Sequence, residues 1–163
     1  MIKDAIISEC LSYRYTLSRK WNSENPKTLL FCMLNPSTAD ANLDDPTIRR
    51  CIGFAKSWGY DEIIVINLYA LRTPSPKDLW PHSDPIGLEN NQYLKELANK
   101  YLDIVCAWGG NAKKERVQEV AKLFKGVGAN LYCLGTTKDG SPKHPLYIKG
   151  DKQLEPWGFD RVI

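Results

Sequence analysis

Four short apolar runs divide the chain, at residues 28–34, 62–67, 103–107 and 130–134. Each run is nearly continuous, which is typical of strands that are buried on both faces of a parallel sheet. Between them lie longer segments whose apolar residues recur at helical spacing. This alternation predicts an α/β fold: a three-layer α/β/α sandwich around a central, four-stranded, mainly parallel sheet.

Local signals set the ends of three predicted helices. Asp45 is a good N-cap and Pro46 suits the first helical position, so one helix is predicted from Pro46 to the residue before Gly59. A second helix is predicted over 90–101. Asn111 is predicted to cap a third helix, which reaches about residue 125.

Three segments lie outside this alternation. Residues 11–21 alternate loosely and carry Tyr, Thr and Arg, which is typical of an exposed or edge strand. The proline-rich stretch 68–89 has little periodicity, and a loop of that length inside a compact domain is usually functional. The tail at 150–163 is expected to add a short strand or to cover the core. Because the chain has no repeat and no linker, we expect residues 1–163 to form a single domain.

Composition and charge narrow the class of protein. The 163 residues are 25% charged with a net charge of +3, so charge alone does not announce a nucleic-acid partner. No apolar run approaches the roughly 20 residues that a membrane-spanning helix needs, and the first residues lack the apolar core of a signal peptide. We therefore expect a cytoplasmic protein that has no membrane partner.

The cysteines indicate core packing rather than metal binding. There are five, an odd number, and no CxxC pair is present. Cys32, Cys106 and Cys133 fall inside apolar runs, where a reduced thiol packs as a small apolar side chain. With only two histidines in the chain as well, the sequence predicts no metal, no cofactor and no disulfide.

Polar or glycine-containing turns follow all four apolar runs. Asn35, Asn67, Trp108 and Gly135 stand at or just after the carboxyl ends of these runs. In an open parallel sheet those ends share one edge, and ligands bind at that edge. The loops that follow add further polar side chains there: Ser37, Ser141, Lys143 and His144.

The candidate chemistry at this edge is recognition of a nucleobase. Side-chain amides both donate and accept hydrogen bonds, so Asn35 and Asn67 can read the edge of a planar base. His144 can polarise an oxygen or stabilise a leaving group. Phosphate contacts are predicted from the helix N-termini near Asp45 and Asn111, and also from three arginines: Arg49, Arg50 and Arg72.

Plainer interpretations of the same residues stay open. The Asn35-Pro36 pair is also ordinary turn chemistry, and Asn67 also suits the cap of a strand end. Arginines near a helix start are commonly a solvated face. Asp44 and Asp45 are expected to be helix caps, although one of them could orient a water molecule, and His82 is expected to be a surface loop residue.

Four segments resemble motifs of the uracil-DNA glycosylase superfamily, in the same order and with similar spacing. They are LNPST at 34–38, VINLYALR at 65–72, AWGGNAKK at 107–114 and SPKHPLYI at 141–148. They resemble, respectively, the first motif of that superfamily, its base-reading strand end, its Trp-Gly strand end and its late His-Pro loop. The resemblance implies a uracil-DNA glycosylase-like fold.

The same resemblance implies roles for single residues. Asn35 would position the attacking water, Asn67 would read the base, and His144 would support the departing base. The neighbouring side chains would contact substrate: Ser37, Trp108, Ser141 and Lys143. The chain departs from the superfamily in lacking both an Asp-Pro-Tyr-His sequence and the cysteine ligands of the iron–sulfur branch, and its His-Pro pair is followed by Leu146-Tyr147 instead of Ser-Pro.

A closer resemblance covers nearly the whole chain. The run MLNPSTAD…DDPTIRRC, together with NLYALR, DPIG, AWG and GSPKHPLY, is similar to the domain-of-unknown-function family numbered 1643, which has no assigned reaction. Three functions therefore stay open. They are N-glycosidic hydrolysis of a uracil-like or modified base in DNA, non-catalytic binding of a nucleotide or modified base, and another reaction on a nucleotide. The expected partner is DNA or a nucleotide, and the oligomeric state is left open.

Overall fold

A mixed β-sheet with helices on both faces forms the protein in the computed structural model, which describes residues 1–158. The strands within that range are β1 (Ile2–Ile7), β2 (Arg14–Lys20), β3 (Thr28–Met33), β4 (Glu62–Asn67), β5 (Asp103–Cys106), β6 (Asn130–Cys133) and β7 (Glu155–Pro156). The α-helices are α1 (Pro46–Ser57), α2 (Asn90–Tyr101) and α3 (Lys114–Gly126). Short 3₁₀ turns lie at Pro76–Asp78 and Pro145–Tyr147.

The sheet is larger and more mixed than the sequence predicted. Its order is β1-β2-β4-β3-β5-β6-β7, and the strands β4, β3, β5 and β6 are parallel to one another. Strands β1, β2 and β7 add antiparallel pairings at the two sides. The prediction of a four-stranded sheet is therefore wrong in strand number, because β1 carries charges and β7 has only two residues, so neither forms an apolar run.

Strand β2 is not the exposed edge that residues 11–21 predicted. It pairs with β4 on one side and with β1 on the other, so β1 takes the outer position. The polar side chains of Arg14, Thr16 and Arg19 are consequently buried. Alternation of polar and apolar residues did not indicate solvent exposure here, since the loop at 39–44 accepts hydrogen bonds from both buried arginines.

Helices on both faces complete three layers. Helix α1 packs on the face that carries Phe31 and Val65, whereas α2 and α3 pack on the face that carries Cys32 and Ile66. Both faces of the central strands are thus covered, which explains why their sequences are continuously apolar. The prediction of an α/β fold with strand–helix alternation is confirmed.

The start of α1 follows the predicted signals, but the start of α3 does not. The Asp45 carboxylate accepts a hydrogen bond of 2.9 Å from the backbone N–H of Ile48, and Pro46 opens the helix. Helix α3 begins at Lys114, with Lys113 as N-cap, so the prediction of a cap at Asn111 is wrong. The backbone N–H of Lys113 donates to the Tyr69 hydroxyl at 3.3 Å, which holds the preceding residues as a loop.

The cysteine prediction is confirmed as far as burial is concerned. Cys32, Cys106 and Cys133 lie in the core, and burial raises the pKa of the Cys32 and Cys106 thiols above its ordinary value. Cys51 is also buried, whereas Cys10 is exposed. In residues 1–158 no group of three or more His, Cys, Asp or Glu side chains has a metal-binding arrangement.

The tail adds the short strand β7 and covers the core with Trp157. The Trp157 ring meets Trp108 edge to face at 5.2 Å, and its indole N–H donates to the Gly140 carbonyl at 3.1 Å. The predicted tail and domain both extend to Ile163, and residues 159–163 lie outside the described part. No helix within residues 1–158 is long and apolar enough to cross a membrane.

Candidate functional site

A cavity of about 810 Å³ lies at the carboxyl edge of the parallel strands. This volume falls in the range of roughly 300–1,000 Å³ that is usual for small-molecule sites. The walls come from the ends of β3, β4 and β5, from the start of α1 and from the loop after β6. Six of the residues predicted from the sequence line it: Asn35, Ser37, Asn67, Trp108, Lys143 and His144.

Asn35 uses its amide N–H groups to join two loops at the cavity wall. Its Nδ2 donates to the backbone carbonyls of Pro36, Leu71 and Thr73 at 3.0, 3.3 and 2.9 Å. These contacts fix the side chain, while its Oδ1 has no hydrogen-bond partner among the described residues. A fixed amide oxygen at a cavity wall can accept a hydrogen bond from water or from a ligand N–H.

Asn67 is the most unusual polar group of the site. It is the last residue of β4, only 1% exposed, and neither Oδ1 nor Nδ2 has a partner in the part of the chain that the structure describes. Leaving a buried polar group unsatisfied disfavours the folded state by about 1–3 kcal/mol. Native proteins seldom keep such groups without a reason, and a ligand that both donates and accepts would satisfy this amide.

The backbone at Asn67 is held by side chains from the helices behind it. The amide of Asn90, at the start of α2, donates to the carbonyls of Asn67 and Leu68 at 3.0 and 3.3 Å. Arg116 of α3 donates to the same Leu68 carbonyl at 2.8 Å. Both atoms of the Asn67 side chain are shielded from solvent, so contact with a ligand would require side chains of the wall to adjust, as is common on binding.

His144 presents a defined tautomer to the cavity. Its Nδ1 accepts a hydrogen bond of 3.3 Å from the backbone N–H of Leu146, so the neutral ring carries its proton on Nε2. Burial lowers the pKa of His144, and the charge of Asp45 opposes this effect only in part. The neutral imidazole is therefore the dominant form at pH 7, and Nε2–H is a donor.

The loop that carries His144 is tied to its neighbours on both sides. The backbone N–H of Lys143 donates to the Gly135 carbonyl at 3.0 Å, and the N–H of Gly109 donates to the Pro142 carbonyl at 2.8 Å. Arg50 donates to the Pro145 carbonyl at 3.4 Å. This loop is thus fixed against the ends of β5 and β6 and against α1.

Four residues predicted from the sequence do not line this cavity: Ser141, Arg49, Arg50 and Arg72. Ser141 is buried, and its backbone N–H donates to Asp139 at 3.1 Å, so the residue shapes the loop from behind. Arg49 donates to the Asp44 carbonyl and Arg72 to the Leu11 carbonyl. The three arginines were predicted to contact phosphate. None of them lines the cavity, and they donate instead to the backbone carbonyls of Asp44, Pro145 and Leu11.

Arg14 is a site residue that the sequence did not reveal. It is 2% exposed and lines the cavity, its NH1 donates to the Ala39 carbonyl at 3.0 Å, and its buried Nε has no partner among residues 1–158. Burial lowers the pKa of Arg14 to about 10, although the charge of Asp45 opposes this shift. Within a segment interpreted as an exposed strand, nothing marked this arginine as buried.

Asp45 joins the site in addition to capping α1, as the sequence allowed. One carboxylate oxygen caps the helix, and the residue lines the cavity. Beyond it, Asn111 and two exposed apolar side chains, Leu146 and the 91% exposed Tyr147, stand among the lining residues. Asn111 was selected from the sequence only as a helix N-cap that could hold phosphate. No pattern marked Leu146 or Tyr147 as site residues, because their positions depend on loop conformation.

The comparisons with known proteins identify a family. Residues 14–146 match the family described as "Protein of unknown function (DUF1643)". Searches of curated proteins and of solved structures found no match. The matched segment begins at Arg14 and ends at Leu146, so it includes every cavity residue discussed above except Tyr147. Because the match covers well over half of the sequence, the chain belongs to the DUF1643 family.

Proposed function

We propose that the protein binds a nucleobase in this cavity and hydrolyses its N-glycosidic bond, in DNA or in a nucleotide. The single observation that carries the proposal is the buried amide of Asn67, which has no hydrogen-bond partner within residues 1–158. A pyrimidine or a hypoxanthine-like base offers an N–H donor beside a carbonyl acceptor. An amide is the side chain that complements both with one planar group.

The other lining residues suit the remaining parts of the reaction. Asn35 Oδ1 holds a water molecule, and the carboxylate of Asp45 takes the proton of that water as its oxygen bonds to the sugar carbon. The carbon–nitrogen bond breaks and its electron pair leaves with the base. The Nε2–H of His144 then stabilises the negative charge on a base oxygen, as a neutral donor in a partly buried site.

The sequence resemblance supports the same assignment. The four segments that resemble uracil-DNA glycosylase motifs supply Asn35, Asn67, Trp108 and His144, and all four residues line one cavity. Their convergence is what a shared base-binding site requires. We accordingly propose a uracil-DNA glycosylase-like fold, with DNA as one of the two substrate classes.

Release of free base is the direct test of the proposal. Purified protein is incubated with oligonucleotides that contain uracil, hypoxanthine, mismatched or hypermodified bases and with the matching nucleotides, and liberated base is measured by mass spectrometry. We expect release from at least one substrate, and a loss of about 10²-fold or more in rate for Asn35→Ala and for His144→Gln. Equal rates in both variants and the wild type would refute the assigned roles.

Binding without cleavage is the second candidate, and one contact favours it. The Asn35 amide donates hydrogen bonds to three backbone carbonyls, so it has a structural role that does not depend on catalysis. A protein that binds the base without cleaving it would also need this role. In that case the same ligands bind and stabilise the protein, but no base is released. Measuring thermal shift and base release on the same samples separates the two candidates.

A further inference from the structure

Two buried arginines on strand β2 differ sharply in how well they are satisfied. Arg19 is 0% exposed, pairs with Asp44 at 2.7 Å and donates to four backbone carbonyls. Arg14 is 2% exposed, donates to one carbonyl and has no carboxylate at salt-bridge distance in residues 1–158. A buried cation without an anion is costly. Arg19 is thus a satisfied structural residue, whereas Arg14 has no directly paired carboxylate among residues 1–158 and feels only the more distant charges of Asp45 and Asp40.

An irregularity in β2 directs Arg14 into the cavity. Ile6 of β1 pairs with Thr16 and Ile7 pairs with Arg14, so Tyr15 is an extra residue without a partner on β1. An extra residue reverses the alternation of side chains. Arg14 therefore shares the cavity face with Val65, while Tyr15 stacks on Tyr93 of α2 at 5.2 Å. Bulges that redirect a side chain are common beside functional sites.

We propose that Arg14 binds the phosphate of a free mononucleotide, whose base reaches Asn67 in the same cavity. This inference rests on the proposed function for the base. A phosphate oxygen is the acceptor that suits a guanidinium best, because charged hydrogen bonds form in pairs between them. The phosphates of a DNA strand continue into neighbouring sugars on both sides and follow a protein surface. Because Arg14 is only 2% exposed, a small ligand can reach it more easily than the continuous backbone of a DNA strand can.

Two other charged residues line the cavity, and a test of the phosphate site must separate their effects from that of Arg14. Lys143 lines the cavity but is exposed, so a phosphate at Lys143 would lie at the mouth, where a DNA strand could also bring one. Asp45 lines the cavity too, and its carboxylate repels a phosphate while its helix-capping bond persists. Variants at Arg14 and Lys143 therefore separate the inner position from the outer one.

The test compares ligands that differ only in phosphate. Isothermal titration measures binding of the common nucleosides, their 5′-monophosphates, inorganic phosphate and single-stranded oligonucleotides to the wild type, Arg14→Gln, Arg14→Lys, Lys143→Gln and Lys122→Gln. Lys122 is an exposed residue of α3 outside the cavity and controls for loss of one charge. Thermal unfolding of each variant establishes that it is folded.

We expect a monophosphate to bind at least about tenfold more tightly than its nucleoside, since a charged hydrogen bond contributes that much or more. Arg14→Gln should abolish this preference, Arg14→Lys should restore part of it, and Lys122→Gln should keep both the preference and the nucleoside affinity. Equal affinities for nucleoside and monophosphate overturn the phosphate site but leave the base site standing. The phosphate site at Arg14 is also overturned if Lys143→Gln, and not Arg14→Gln, removes the preference for the monophosphate. Binding that is found only with oligonucleotides would overturn it as well.

Inorganic phosphate keeps the two proposals distinguishable. Phosphate binding that depends on Arg14, with no nucleoside bound, supports the anion site and refutes the base site. If Arg14→Gln does not fold, the titration of phosphate against Arg14→Lys decides instead, because a point charge in place of the guanidinium fork should weaken binding. Unchanged phosphate affinity in Arg14→Lys then refutes a bidentate contact at this residue.

Discussion

Replacing Asn67 with leucine should make the protein more stable while removing its ligand. The two side chains share a branched frame, so Asn67→Leu exchanges two buried polar atoms for methyl groups. In the wild type both atoms are unpartnered among the described residues and shielded from solvent. A core substitution usually destabilises, so a gain in stability would be a distinctive result.

The size of the gain follows from two opposing contributions. Each unsatisfied polar atom disfavours folding by about 1–3 kcal/mol, and fitting larger methyl groups into a packed wall costs about 1–3 kcal/mol. The net expectation is an increase of roughly 2 kcal/mol in the free energy of unfolding. In a chain of this length, that corresponds to a rise in Tm of about 4–8 °C.

Chemical denaturation and thermal unfolding measure this change, with Thr28→Val as the matched control. Thr28 is also buried in a central strand, but its hydroxyl donates to Glu62 at 2.7 Å, outside the cavity. Removing a satisfied hydroxyl should lower stability by about 1 kcal/mol. If Asn67→Leu lowers stability as Thr28→Val does, the amide of Asn67 is an ordinary satisfied core group and the reasoning fails.

Three further changes probe the charges around the site. Asp45→Asn should keep its helix cap, because Asn caps as well as Asp, while tightening phosphate binding and lowering the base-release rate; unchanged binding and rate in titrations and kinetics would contradict this. His144 has a lowered pKa, so its contribution to stability is present above about pH 6.5 and is lost as pH falls through that lowered pKa. In denaturation measured across pH, His144→Gln should reduce this loss of stability at acid pH. An unchanged loss of stability in the variant would exclude the assignment. Asp44→Asn leaves Arg19 buried without its carboxylate, so urea denaturation should show a loss of about 3 kcal/mol, whereas a loss below about 1 kcal/mol would mean that the carbonyl contacts suffice.

The parts of the fold that could be predicted from sequence are those fixed by burial on both faces. Strands β3 and β4 are continuously apolar because α1 covers one face and α2 and α3 cover the other. Strand β1 escaped prediction because its outer position tolerates charge. The start of α3 was misplaced because Tyr69, distant in sequence, satisfies the backbone N–H of Lys113 and lengthens the loop.

Some residues of the site could be predicted from the sequence, and others could not. Asn35, Asn67 and His144 line one cavity because parallel strands bring their carboxyl ends to one edge, and that much follows from the order of apolar runs. Arg14 could not be found, since its direction depends on an extra residue in β2 that only the register with β1 reveals. Nor does a sequence pattern distinguish Arg72, which donates to the Leu11 carbonyl, from an arginine that faces a ligand.

The measurement that tests the central claim most directly is equilibrium binding of a panel of nucleosides and nucleoside monophosphates to the wild type and to Asn67→Leu. We predict that the wild type binds at least one member, and that Asn67→Leu, at least as stable, binds it more than about tenfold more weakly, because methyl groups can neither donate to the base nor accept from it. Undiminished binding by Asn67→Leu, or no binding of any member by the wild type, would contradict the assignment of this cavity to a nucleobase.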